Sequence, residues 1–436
     1  MHAFGELTIV FSVYLLLAGI SDFGSRLYCW KTVLSVSEDE RPVWALKMWV
    51  ARTILSLLFL VPIAIGIILI SHGRLEKLLL LYSIGVLSNQ ASFDWFFLSL
   101  NKVTSLFIFN SLSGIFYISF LLLLVHSEAN IYWVPISFTV AYLLPALILM
   151  IRNLHQYGFF DLFQEKIKLL TLAIEIPQKS HHFLYYDFLQ RLYMTFVFII
   201  AWKFYSKSDI GEFRIAHLLF IFVSSLSIYL GMSFFNKIHE EGTDGKPEVR
   251  IIHGIAAIIL VVIPFSISGF GMIIPFVRFF MGVQYDMQPL QILLLGLIFP
   301  ALANFIRETA VASGHPRVST MSYVFSILIS TFLIFLYHPK SLAFLAGEIL
   351  LGEFVGLVVL FVFLPFSLLP KIKLYVYLVA GLSGGVLLVL EKIFSLSRLM
   401  LGGHFQTIEY VSVYCLFFLA YLLVVKKKRI DSWVSQ

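Results

Sequence analysis

The chain has 436 residues, of which 60% are hydrophobic, 16% aromatic and 13% charged, with a mean hydropathy of +0.92. A soluble domain carries about 25% charged residues, so roughly half of the usual solvating surface is missing. The apolar residues come as runs of about 20, the length that crosses a ~30 Å hydrocarbon layer as a helix. These figures exclude a soluble enzyme, a nucleic-acid-binding module and a disordered scaffold. They predict an all-α polytopic membrane protein.

In chain order the runs are 7–21, 46–71, 78–98, 103–125, 131–151, 183–203, 215–235, 251–277, 287–309, 318–337, 341–366, 374–391 and 405–425, thirteen spans. They are continuous and do not alternate every second residue, which predicts helices over barrel strands. Prolines at 62, 135, 145, 264, 275, 289 and 300 fall inside runs, a placement that membrane helices tolerate. The two longest polar segments are 152–182 and 236–250. The first of these, with the connection 366–373, divides the chain into an N-terminal transmembrane lobe (1–151), a basic cytoplasmic linker (152–182), a C-terminal lobe (183–366) and a final helix pair with a basic tail (367–436). No extramembrane segment is long enough to be a catalytic domain.

Charge sets the orientation. The formal net charge is +6, and Lys and Arg concentrate on cytoplasmic connections of membrane proteins. The connections 22–47, 99–102, 152–182, 236–250, 310–317, 367–373 and the tail after 425 hold 19 Lys and Arg, against 9 on the opposite side. The first set, with Lys426, Lys427, Lys428 and Arg429, is therefore expected inside. With thirteen spans Met1 would then lie outside, so either a span is miscounted or a first helix precedes this chain. Cys29 and Cys415 have no metal or redox spacing and read as small hydrophobes.

Three arginines, Arg52, Arg191 and Arg307, lie inside spans. A charge at mid-bilayer costs about 2.5–3.5 kcal/mol on insertion scales, so each needs an interior or watery environment. Arg52, near Lys47, is either an interfacial snorkelling residue or an interior one. Asp94 belongs to a polar stretch with Asn89, Gln90 and Ser92. Asp187 and Arg191 are four residues apart and share a helix face, so they either neutralise each other or open to let Arg191 meet an anion. Arg307 and Glu308 are adjacent and point in different directions. Glu348 and Glu353 lie beside Gly347, Gly352 and Gly356, the last two forming a GxxxG that permits close helix packing. His217 reads as a structural histidine. The chain has no GxxxxGK[ST] phosphate loop, no HExxH and no CxxC. No catalytic residue, metal site or cofactor is expected.

The segment 94–110, DWFFLSLNKVTSLFIFN, resembles the DWFFQG-x-x-K passage of bacterial O-antigen and polysaccharide flippases of the Wzx type, through Asp94, Trp95, Phe96, Phe97 and Lys102. Leu98 and Ser99 depart from its Gln-Gly. Phe4-Gly5-Glu6-Leu7 and Ser21-Asp22-Phe23-Gly24 look like the passage around that family's second helix. Ile210-Gly211-Glu212-Phe213 with Ala216 looks like the start of its eighth, and Gly314-His315-Pro316-Arg317 like a turn after its tenth. Glu353 falls on a glutamate typical of the helix after next. The matches follow family order along nearly the whole chain, and they place the family's first helix before Met1.

The resemblance is to a family of the multidrug/oligosaccharidyl-lipid/polysaccharide exporter superfamily. It implies two pseudo-symmetric six-helix lobes around a cavity that opens alternately to each side. It also implies a flippase, not an enzyme, that carries undecaprenyl-diphosphate-linked O units from the cytoplasmic to the periplasmic leaflet of the bacterial inner membrane. Arg52, Arg191 and Arg307, with Lys102 at the interface, are the expected contacts of the diphosphate or of an acidic sugar. Asp94, Asp187 and Glu353 are expected to hold those arginines in the empty cavity or to bind a coupling proton or sodium ion. The implied partners are the lipid-linked oligosaccharide, an O-antigen polymerase and a chain-length regulator, with no nucleic acid. The alternatives are a drug/cation antiporter of the same superfamily and a membrane-embedded glycan polymerase. The second would need a large outward loop, and the longest here is about 15 residues.

Overall fold

A computed structural model describes residues 1–37, 39–70, 73–91, 95, 97, 103–157, 166–240, 255, 258, 262, 277, 286–312, 315–337 and 341–363. Among these residues every regular element is a helix. A dry bilayer dictates this outcome, because only a helix or a closed barrel satisfies its own backbone groups there. The helices are α1 (His2–Asp22), α2 (Ser25–Leu34), α3 (Arg41–Ile70), α4 (Arg74–Ala91), α5 (Val103–Leu124) and α6 (Trp133–Tyr157). They continue as α7 (Lys166–Ala201), α8 (Lys207–Glu240), α9 (Gln288–Leu295), α10 (Ile298–Ala312), α11 (Pro316–Tyr337) and α12 (Leu342–Phe363).

Segments of α1, α3, α7, α11 and α12 are long and apolar enough to cross a membrane, and α9 with α10 makes a sixth, bent by 50°. The polytopic all-α class is thus present in the structure. The expected spans 374–391 and 405–425 and the basic tail lie outside the described residues. Of 251–277 only Ile255, Ile258, Val262 and Val277 are described, all buried.

Three elements depart from the expected plan. The connection 22–47 holds a helix, α2, whose Arg26 and Lys31 disguise it as loop. The linker 152–182 is not a separate connector in its second half: α7 begins at Lys166 and runs on to Ala201, so the boundary at 182/183 falls inside one helix. The run 287–309 is broken at Gly296 and Leu297, where Pro300 has a cause to offer. A proline ring clashes with the carbonyl four residues back, here that of Gly296.

Among the described residues α3 to α6 pack mainly on one another, as do α8 to α12, and the two groups meet along α1 and α7: α1 packs on α7 and α8 as well as on α3 and α4, and α7 packs mainly on α1, α2 and α3. Helix α1 is an interior element, half buried over its most apolar stretch, whereas the same measure for α3 is 17%. The outward face of α3 is the apolar row Leu57, Leu58, Val61, Ile65, Ile68 and Leu69, suited to lipid. The buried face of α11 is instead polar and small: Ser319, Ser322, Ser326 and Ser330 form one helical stripe. Opposite it stand Gly352 and Gly356 of α12. A Cβ at Gly356 would lie 2.1 Å from Ser326 Oγ and 2.6 Å from Arg307 Nη2, and one at Gly352 would lie 2.7 Å from the backbone oxygen of Ser326. The GxxxG is therefore used for close packing.

Replacing Gly356 with Val must displace the Arg307 side chain or separate α11 from α12. Overpacking of this kind costs about 1–3 kcal/mol. The expected result is a lowered melting temperature in detergent and a smaller monodisperse fraction on size exclusion. Gly347→Ala is the control, since a Cβ there meets nothing within 4 Å, and it should melt as the unaltered chain does.

Candidate functional site

The interior charges are organised by turns and close helix contacts. Helix α1 ends at Phe23 and Gly24, both with positive φ (51° and 68°). At Gly24 a side chain would collide with α7, its Cβ 2.4 Å from the Leu184 nitrogen, so glycine is required there. The Ser180 hydroxyl donates to the Phe23 carbonyl oxygen at 2.5 Å and fastens this turn to α7. The turn brings Asp22 and Ser25 together, with Ser25 Oγ donating to Asp22 Oδ1 at 2.9 Å.

Arg52 of α3 enters this pair. Its Nη2 lies 2.7 Å from Asp22 Oδ1 and its Nε donates to Ser25 Oγ at 2.8 Å. Its guanidinium carbon lies 5.5 Å from the centre of the buried Trp95 ring. The residue is 1% exposed, so the interfacial snorkelling reading of Arg52 is replaced by an interior ion pair. Asp94 and Lys102, the other expected members from this part of the chain, lie outside the described residues.

Arg307 on α10 is wholly buried and more completely held. Nη2 and Nη1 lie 2.9 and 3.3 Å from the two oxygens of Glu353 on α12. Its Nε donates to Ser322 Oγ at 2.9 Å, Nη2 to Ser326 Oγ at 3.1 Å and Nη1 to Asn304 Oδ1 at 3.1 Å. The Tyr323 ring lies 4.1 Å from its guanidinium carbon. A fork this occupied has no donor to spare for a passing anion in this conformation. Glu308, next along α10, points elsewhere and accepts bonds from Tyr186 Oη at 2.6 Å and Gln190 Nε2 at 3.2 Å. Glu348 is buried, and neither carboxylate oxygen has a hydrogen-bond partner among the described residues.

Arg191 differs from both. It bonds Asp187 Oδ2 through Nε at 2.9 Å, its side chain is 14% exposed, and its terminal nitrogens make no hydrogen bond to a described residue. It sits where α7 meets α1. A Cβ at Gly19 would lie 2.7 Å from Arg191 Cδ, so the missing side chain of Gly19 makes its room.

Sequence reasoning missed three charged residues of the α1 contact region. Asp22 is the described partner of Arg52, and its signal was the Ser21-Asp22-Phe23-Gly24 turn. Arg214, counted among loop charges because its apolar run begins one residue later, stands two turns inside α8 and is 7% exposed. Its guanidinium carbon lies 5.0 Å from the centre of the Phe198 ring and 5.7 Å from that of Phe11, and it has no carboxylate partner among the described residues. One turn on, His217 is ringed by Phe198, Phe213 and Phe220, and its Nδ1 has no hydrogen-bond partner among the described residues.

Glu6 is the third. Its carboxylate lies 2.7 Å from Lys207 Nζ on α8 and 3.3 Å from Arg74 Nε on α4. Beside it the backbones of α1 and α8 touch, since a Cβ on Gly211 would lie 2.7 Å from the Met1 oxygen and 3.0 Å from the Gly5 nitrogen. This end of α1 is closed by the contact.

Comparison with known proteins gives the fold a context. No protein-family profile matches the chain, and no curated protein sequence matches it. Solved structures do. An inward-facing multidrug resistance MATE family transporter of the MOP superfamily aligns at a TM-score of 0.56 and 13% identity, over 83% of this chain and 89% of that one. A substituted MATE protein aligns at 0.58 and 12% identity, over 83% and 87%. A MOP superfamily transporter from Pyrococcus furiosus, described as having a binding pocket of reversed polarity, aligns at 0.51 and 14%, over 83% and 86%. The chain therefore has the fold of MATE-type transporters, and that fold is the all-α, multi-pass architecture expected above.

The Arg52 pair makes a direct stability test. Arg52→Ala leaves Asp22 buried without its charge partner, which costs about 3–5 kcal/mol. The protein is expected to melt far lower in detergent or to fail to accumulate. Replacing both members, Arg52→Met with Asp22→Leu, should recover most of the loss, because no orphan charge remains.

Proposed function

We propose that this chain is a transporter that carries a lipid-linked, negatively charged glycan unit across a bacterial inner membrane, with its C-terminus in the cytoplasm. The substrate class is undecaprenyl-diphosphate-linked O-antigen or a similar polysaccharide repeat. One observation carries the reading: Arg191 faces the helix that joins the two helix groups, with its fork only partly engaged by Asp187. A guanidinium with free N–H groups suits phosphate oxygens, which it meets in bidentate geometry. Asp187 then acts as the partner that holds the charge while the site is empty.

The physical need for such a device is plain. A diphosphate and its sugars cannot enter hydrocarbon without partners, since each unsatisfied polar group costs several kcal/mol. The lipid tail needs no such help and can remain in the bilayer. Two negative charges moving outward gain roughly 4–5 kcal/mol at 100 mV, inside negative, so a potential-driven cycle is one energy source and a proton- or sodium-coupled cycle another. Arg52 and Arg307 take part in this reading as structural charges that a second conformation would have to release. Lys102 and Asp94 remain its interfacial members. A polymerase and a chain-length regulator are the partners this substrate would require.

A drug/cation antiporter is the second reading, and Glu348 favours it. A buried carboxyl with two unpartnered oxygens is the group that a cationic substrate or a coupling cation would seek.

The two readings separate in the host cell. Loss of the protein should leave lipid-linked O units on the cytoplasmic leaflet, and Arg191→Ala should lower surface glycan severalfold at unchanged protein level. Normal surface glycan together with raised sensitivity to cationic drugs would overturn the flippase reading and favour the antiporter.

A further inference from the structure

Arg214 and Arg191 lie against the same helix. Arg191 sits beside Gly19 and Arg214 beside Phe11, eight residues apart on α1, which is about 12 Å along a helix axis. The charge asymmetry of the chain puts the Phe11 end of α1 nearer the outside. Arg214 is held in an unusual way, by the rings of Phe11 on α1 and Phe198 on α7. Ring faces attract a guanidinium without consuming its N–H donors. Its charge is thus partly stabilised while its five donors make no hydrogen bond to a described residue, the reverse of Arg307, which is engaged by Glu353, Asn304 and two serines.

A second unsatisfied group adjoins it. His217 is 4% exposed, and its Nδ1 finds no partner among the described residues. Residues three apart share a helix face, so both side chains leave α8 on the same side, and both lie against the Phe198 ring. A buried polar atom without a partner is costly, and one beside an uncommitted cation suits an anion better than a core.

We propose that Arg214 and His217 form a second anion-binding station, which receives the phosphate groups of the substrate after they leave Arg191. This rests on the transport reading above and adds a route to it: the substrate's charge would pass outward along α1 in two steps. The ligand chemistry is a diphosphate, from a polyprenyl lipid headgroup or as the free anion. Glu6, held between Lys207 and Arg74 at the outer end of α1, closes the path beyond the station.

The test is binding to the full chain in nanodiscs, with undecaprenyl diphosphate in the bilayer or inorganic pyrophosphate in solution as probes. Arg214→Gln should weaken binding of the lipid by about tenfold or more, the scale of one lost charge-assisted hydrogen bond. A parallel loss for pyrophosphate supports a site for the anion itself, and a loss for the lipid alone supports a headgroup site. Should Arg214→Gln not fold, His217→Phe, which suits its aromatic surroundings, should weaken lipid binding severalfold, and unchanged binding would overturn the station. Wild-type affinity in both variants with weakened binding in Arg191→Gln also removes the station and leaves the transport reading standing. Failure of the unaltered chain to bind either diphosphate overturns both.

Discussion

Everything inside this molecule is governed by the cost of a charge in a layer without water. An arginine buried alone would cost several kcal/mol, and the two most deeply buried ones are each met by a carboxylate from another segment. Arg52 is answered by Asp22, thirty residues upstream, and Arg307 by Glu353, forty-six residues downstream. These pairs are also what align the helices: α1 and α2 with α3, and α10 with α12. The Phe23–Gly24 turn exists in its left-handed form because Asp22 and Ser25 must face one guanidinium while the backbone passes close under α7.

Against this background of answered charges, the region around α1 stands apart. It is where the two helix groups meet, and the cations facing it are only partly answered. Arg191 uses one nitrogen, and Arg214 is held by aromatic rings. The contacts that close α1 onto α7 and α8 are of two kinds. At one end a serine hydroxyl and a glycine turn lock it, and at the other Glu6 bridges two basic side chains that are themselves partly exposed. Partly exposed ion pairs contribute little, about 0–1 kcal/mol each, so the Glu6 end is the more readily parted.

Much of the fold is legible in the sequence, because a helix that must cross hydrocarbon announces itself as a run. Seven of the described helices, α1, α3 to α6, α11 and α12, fall close to their runs. Amphipathic or charged segments do not announce themselves, which is why α2 and the first turns of α7 read as connections. Ion pairs are harder still. Asp187 with Arg191 is readable because it is local, whereas Arg52 with Asp22 depends on a turn whose direction no spacing reveals. The serine stripe of α11 was present at helical intervals, but its meaning needed the glycines of α12 opposite. Arg214 was lost to a boundary drawn one residue too late.

The Ser–Gly contact between α11 and α12 has a consequence for how the protein would fail. It binds that helix pair through backbone-close packing, with Arg307 cemented between them, whereas the α1 contact region depends on a few bridges and on the room that Gly19 leaves for Arg191. Damage to the first dissolves the folded molecule. Loss of the Glu6 bridges should instead leave that helix pair intact. Heat, detergent and substitution should therefore part the Glu6 end of α1 before they separate α11 from α12.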